Sequence, residues 1–236
     1  FSGDVNVAMA VNEDAGIPMI MGGEAAMLTQ QGAKFLFRTS FSQANAMPKV
    51  ASYMQEQGMK SVSIVWIAND FGKGGHDTMV KELTARGIKV AADISTEPGQ
   101  TDYSATVVNV AQVHADALFV YMNEEESARF LIALRKLGYD SPVIGETVLA
   151  SQRVVDLAGR AANGVRAHVG LSADAPNPLV ADFARKFKAA YGHASDHNGL
   201  KGYTAIYLIK AVTERMGRFD RAQFAATLHG ARFSAK

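Results

Sequence analysis

Cysteine is absent from this sequence, and with it go disulfides, thiol nucleophiles and cysteine-ligated metal sites. That absence suits an export compartment, where stray thiols are oxidised. Charge of one sign is also missing as a feature. The 24 Lys and Arg stand against 23 Asp and Glu for a net charge of +1, with no basic tract and no acidic tail, so nothing marks a nucleic-acid partner. No apolar run approaches the roughly 20 residues needed to span a bilayer. The first residues, Phe1-Ser2-Gly3-Asp4, lack the basic and apolar regions of an export leader, as a mature or trimmed sequence would.

The common catalytic signatures are missing too. Gly72-Lys73-Gly74-Gly75 is not a phosphate loop, because the required earlier glycine and the following Ser or Thr are both lacking. No G-x-G-x-x-G opens a helix after a first strand, and no G-x-S-x-G elbow occurs. The histidines, His76, His114, His168, His193, His197 and His229, form no H-E-x-x-H pair. His193 and His197 flank a loop-like Ala194-Ser195-Asp196 and read as surface residues. Glu124-Glu125-Glu126 reads as a helix start whose charges suit the positive end of the dipole. The expectation is a protein without catalytic residues, bound metal or cofactor.

What is present is ordinary globular composition, 48% hydrophobic and 20% charged, arranged as alternating strands and helices. The apolar and β-branched runs predict strands at Ile17–Met21, Phe35–Thr39, Val62–Ile67, Val90–Ser95, Ala117–Met122, Val143–Gly145 and Val165–Val169. The runs at Val62 and Ala117 are almost wholly apolar, as in parallel strands covered on both faces. Helical spacing predicts helices at Val5–Asp14, Ala44–Gln57, Gly74–Ala85, Ser104–Val113, Glu125–Leu137, Gln152–Leu157, Pro178–Tyr191 and Lys201–Met216. Gly16, Gly58, Gly87, Gly138, Gly192 and Gly217 stand where such helices should stop.

Alternation with short connections implies an α/β fold with parallel sheets and right-handed crossovers. From Lys60 to Gly170 the pattern is complete and self-sufficient. The flanking parts bring several helices but only two strands, so further sheet partners are expected there.

The order of motifs resembles the periplasmic leucine/isoleucine/valine-binding proteins, the type I solute-binding proteins of ABC transporters. The resemblance is carried by Ser2-Gly3 with Glu13-Asp14-Ala15-Gly16-Ile17-Pro18-Met19-Ile20, by Phe37-Arg38-Thr39, and by Asn69-Asp70-Phe71-Gly72-Lys73-Gly74. Thr101-Asp102-Tyr103-Ser104, Leu134-Arg135-Lys136-Leu137-Gly138, Ala162-Asn163-Gly164-Val165, Asp182-Phe183 and Gly202-Tyr203 follow in the family's order. It implies two doubly wound αβ lobes, the first incomplete in this sequence, with strands expected before Phe1 and a third crossover after Lys236. Residues 1–40 would belong to the first lobe, residues 41–170 to the second with a crossover helix at 41–58, and residues 171–236 to the return into the first. The two crossovers present would fall near Arg38–Ser42 and His168–Ser172.

The resemblance further implies an extracytoplasmic ABC-importer protein that closes two hinged lobes on a small ligand and then docks on a membrane permease. A ligand-sensing domain of a receptor, or an amide-responsive regulator, shares this fold and stands as the alternative. Ligands in such sheets sit beyond the carboxyl ends of strands, near helix N-termini suited to a carboxylate. From the first lobe the expected contacts are Ser2 and the loop Gly22-Gly23-Glu24, where paired glycines let backbone approach a ligand. Amino-acid binders carry threonine in that loop, and Glu24 or Ala25 stands near its position. From the second lobe the expected contacts are Phe71, Asn123, Glu124 and Glu146, with Glu146 placed to pair with a ligand ammonium. Each also has a plain reading: a capping serine, a βα turn, a core aromatic, or a solvated loop. The implied ligand is an amino acid or a related small carboxylate or amide.

Overall fold

Many helices in this chain begin at a capping side chain. In the computed structural model, which describes residues 2–232, Ser42, Asn69, Ser151, Asn177, Asp196 and Asp220 each accept a backbone N–H from the helix that follows. These bonds satisfy donors that a first turn leaves unpaired. The ends are equally marked, because the six glycines expected to stop helices all adopt positive φ. At Gly192 and Gly217 the left-handed residue is the C-cap itself.

The chain divides into two units, Phe1–Phe41 with Leu171–Lys236, and Ser42–Gly170. The first unit opens with α1 (Ser2–Ala15), β1 (Met19–Met21), a 3-10 turn at Ala26–Thr29 and β2 (Leu36–Arg38). β1 and β2 pair in parallel. Val5 and Met9 of α1 pack with Met21, Ala25, Leu28 and Leu36 in a small core. The Glu13 carboxylate accepts the N–H groups of Lys34 and Phe35, at 2.9 and 2.6 Å, and so fixes where β2 begins.

The second unit runs α2 (Gln43–Glu56), β3 (Ser61–Ile67), α3 (Asp70–Ala85), β4 (Lys89–Thr96), α4 (Ser104–Val113), β5 (Ala117–Tyr121), α5 (Glu124–Lys136), β6 (Val143–Gly145), α6 (Gln152–Ala158) and β7 (Arg166–Ala167). Its strands form one parallel sheet in the order β4-β3-β5-β6-β7. β5 is buried along its whole length, which accounts for its unbroken apolar sequence. Asp116 ties two strand entries together. Its carboxylate accepts the N–H groups of Lys60 and Ser61, at 2.7 and 2.8 Å, just ahead of β5. The chain then returns to the first unit with α7 (Pro178–Tyr191), α8 (His197–Met216) and α9 (Arg221–Leu228). Arg221 donates to the carbonyl of Ala15 and His229 meets that of Lys34, so α9 is fastened to both ends of the α1–β2 segment.

The α/β class, the parallel pairing and every expected strand are borne out, with boundaries shifted by a few residues at most. Three helices start well before the point their spacing indicates, and α1 already begins at Ser2, ahead of the expected Val5. α3 begins at Asp70 and not at the expected Gly74, because Asn69 caps it by accepting from Gly72 at 2.8 Å. α8 begins at His197 under the Asp196 cap, and His197 is therefore buried and not on the surface. α9 had no apolar stripe to reveal it.

The strand order has a direct consequence for a binding site. From β3 the sheet grows outward to β4 on one side and to β5, β6 and β7 on the other. The switch lies between β3 and β5, and the connections leaving their carboxyl ends diverge there to leave a crevice.

A Cβ on Gly75 would stand 2.1 Å from Cε1 of Tyr121, whose ring is stacked against Phe71 and Phe119 and has no free direction to move. Gly75→Ala should lower stability by about 1–3 kcal/mol in urea unfolding, the usual range for overpacking. Asp116 is held below the ordinary carboxylate range chiefly by its bonds from the Lys60 and Ser61 backbone. A depressed folded-state value contributes stability above the ordinary range, and that stability is lost as pH falls through the folded value. Asp116→Ala should therefore lower Tm at neutral pH, with the difference from wild type shrinking on acidification.

Candidate functional site

In the second unit, the switch point is lined from three directions. After β3 come Asn69 and the first turn of α3. After β5 come Asn123 and Glu124, and after β6 comes Glu146. Phe71 is buried and its ring stacks on Tyr121 at 4.3 Å between centroids. The ring is a core group of this unit, while the Phe71 carbonyl accepts from Gln43 Nε2 at 2.7 Å. Gln43 also donates to the Tyr121 hydroxyl at 3.0 Å. Its own Oε1 is buried without a partner.

Asn123 occupies the capping position of α5 yet its side chain makes no cap bond, and its Oδ1 is buried and unpartnered. Glu124, the first residue of α5, is partly exposed. Glu146 is buried at 2% exposure. Its Oε1 accepts from the Thr147 hydroxyl and lies 3.4 Å from Nδ1 of His168, whereas Oε2 has no partner. A buried carboxylate oxygen left open is costly unless something donates to it.

Tyr103 was not singled out from the sequence as a ligand contact. It precedes α4 and packs edge-on against Phe130, and its buried hydroxyl has no partner. Burial, with the charge of Glu126 adding to it, pushes that hydroxyl up to about 12. It stays protonated at any physiological pH and offers an O–H donor.

In the first unit, the expected residues are held close together. Ser2 is buried at the start of α1, and its hydroxyl accepts from the N–H of Ala25 at 3.2 Å. The Gly23 carbonyl accepts from Ser40 at 3.2 Å. A Cβ on Gly23 would already touch Leu28 at 3.0 Å, while one on Gly22 would lie 3.7 Å from the Lys201 stem. Glu24 is 6% exposed and accepts from Nζ of Lys201 at 2.6 Å. Arg38, at the end of β2, donates to the Ala25 carbonyl at 2.6 Å. Burial holds its guanidinium below the usual range, with the charge of Glu24 pulling the other way. Arg38 stood in the Phe37-Arg38-Thr39 motif without a ligand role assigned to it, and Lys201 lies so far from Glu24 in sequence that spacing gave no sign of the pair.

Seven buried side-chain atoms among the described residues have no hydrogen-bond partner. Ser63 and Thr213 lie within elements. The other five, on Arg38, Gln43, Tyr103, Asn123 and Glu146, stand at carboxyl ends of strands or in the first turns of helices beside them. Buried polar groups are nearly always paired, so the open atoms of each unit are candidates for contact with polar ligand groups. Among the described residues, no group of three or more His, Asp or Glu is placed to hold a metal ion.

Residues 1–235 match the family model described as periplasmic binding protein. The chain is 25% identical over 238 residues to the leucine-, isoleucine-, valine-, threonine-, and alanine-binding protein of Pseudomonas aeruginosa, covering 98% of this chain and 62% of that one. It is 26% identical over 204 residues to Leu/Ile/Val-binding protein homolog 3 of Brucella melitensis, covering 86% and 55%. Among solved structures, a solute-binding protein of R. palustris in complex with benzoate superposes with a TM-score of 0.91 at 22% identity, covering 98% and 65%. The leucine-binding protein LivK of Thermotoga maritima gives 0.86 at 22% identity, covering 94% and 64%. The chain thus spans less than two thirds of each of these proteins, and the likeness to the two structures is one of fold.

Lys201→Met takes from the buried Glu24 carboxylate the ammonium that stands 2.6 Å away. That change should cost about 3–5 kcal/mol, and adding Glu24→Gln should recover part of the loss because the buried carboxylate charge goes with it. Urea unfolding of the two variants measures both.

Proposed function

The chain belongs to the periplasmic binding protein family, as its resemblance to leucine/isoleucine/valine-binding proteins implied, and on that premise we propose that it is the ligand carrier of an ABC importer. Its ligand is an amino acid or a related small carboxylate or amide, taken up by hinge closure of two lobes outside the cytoplasm and delivered to a membrane permease. The observation that carries this reading is the set of unpartnered buried polar atoms at the carboxyl ends of strands, the position at which open parallel sheets bind small molecules.

Each group has a chemical part to play. Glu146 Oε2 accepts from an ammonium or amide N–H. Asn123 Oδ1 is an acceptor of the same kind, and the Tyr103 hydroxyl supplies a donor. Glu124 borders the crevice, and Phe71 supports it from the core through Tyr121. Ser2, Gly22, Gly23 and Glu24 build the set in the first unit. The ligand range is bracketed by relatives named for aliphatic and small amino acids and by a structural neighbour holding benzoate. Thr147 beside Glu146, and Glu24 in the loop where amino-acid binders carry threonine, support a ligand other than plain leucine.

A thermal-shift screen of the full-length protein against amino acids, aliphatic and aromatic carboxylates, their amides and polyamines tests the reading. A true ligand raises Tm by mass action, and the shift grows with the logarithm of its concentration over Kd. Shifts confined to one or a few small acids, amino acids or amides are expected. No shift with any solute, or turnover of one, would sink it.

A further inference from the structure

Resting on the carrier reading above, we propose that Lys201 is the residue that anchors the ligand's carboxylate, and that Glu24 is the positioning residue that holds its ammonium in place. The Lys201 side chain is 10% exposed and that of Glu24 is 7% exposed, at an Nζ–Oε1 distance of 2.6 Å. An ammonium carries three N–H donors. Glu24 takes one, and no other acceptor for Lys201 is present among the described residues. Stability alone does not explain such a pair, because a buried ion pair is usually matched or exceeded by apolar residues of the same size.

The surroundings select for an anion. Arg38 senses the Glu24 charge, so a second cation stands near the pair. The Arg38 Nε is buried and unpartnered, a second donor awaiting an acceptor. The backbone leaves room as well, since Gly22 faces the Lys201 stem without a side chain. All of these groups stand at the carboxyl ends of β1 and β2 or on the early turns of α8. Recognition of the acid by a buried ammonium is a charge-assisted bond, about twice as strong as a neutral one.

The test compares acids with their primary amides, which keep the shape and lose the charge. Isothermal titration of the full-length protein would use benzoate with benzamide and leucine with leucinamide. Wild type should favour the acid of the pair it binds. Lys201→Met should weaken acid binding roughly ten- to a hundredfold, as loss of a charge-assisted contact does, while amide binding holds, so the acid-to-amide ratio collapses. Glu24→Gln alone should lower that ratio part of the way. If Lys201→Met does not fold, the Glu24→Gln/Lys201→Met double variant keeps the site neutral and should show the same collapse. A variant that loses stability but keeps the ratio makes the pair structural and overturns the proposal. So does a wild type that binds neither acid, or binds each amide as tightly as its acid. Either of those leaves the carrier reading standing, provided some other solute shifts Tm in the wider screen.

Discussion

A parallel sheet must be covered on both faces, and its strands must be joined by crossovers that return to the same end. In the second unit this requirement is met around β5, whose residues are buried throughout. Helices α2 to α6 alternate with the strands because nothing shorter can connect parallel neighbours. All carboxyl ends consequently point the same way, and every outgoing loop opens on one edge. Reversal of strand order between β3 and β5 then opens the crevice without any special sequence at that place. Asn69, Asn123 and Glu146 stand on this edge because of where their strands sit in the order.

The crevice is supported by an aromatic and amide knot. Tyr121, the last residue of β5, is stacked between Phe71 and Phe119, and its hydroxyl accepts from Gln43. Gly75 lets α3 approach that ring. Gln43 is the first residue of α2, so the helix entering this unit is bound to the floor of the site. A polar side chain buried on such a floor rigidifies it when satisfied. The Gln43 Oε1 left open is the remaining acceptor there.

The first unit arranges charge differently. Its acidic loop residue pairs with a lysine and acts electrostatically on an arginine, and its serine hydroxyl is engaged with the loop backbone. The second unit offers an unpartnered carboxylate oxygen, an amide oxygen and a neutral phenol. One set favours anions and the other favours N–H donors and hydroxyl-rich groups.

Much of this was written locally. Strand runs such as Val62–Ile67 and Val143–Gly145, helix-stopping glycines and capping side chains act within a few residues, and they determined the elements, the α/β class and the loops where ligand contacts arise. The start of α3 was placed at Gly74 and not at Asp70 because the glycines there masked a capped helix start. Partnership was decided only by tertiary structure. Glu24 and Lys201 are 177 positions apart, and Gln43 and Tyr121 are 78 apart. No local period or propensity reaches across such distances. Sheet order brings those side chains together, and burial, by removing water as the competing partner, decides which are paired and which are left open for a ligand.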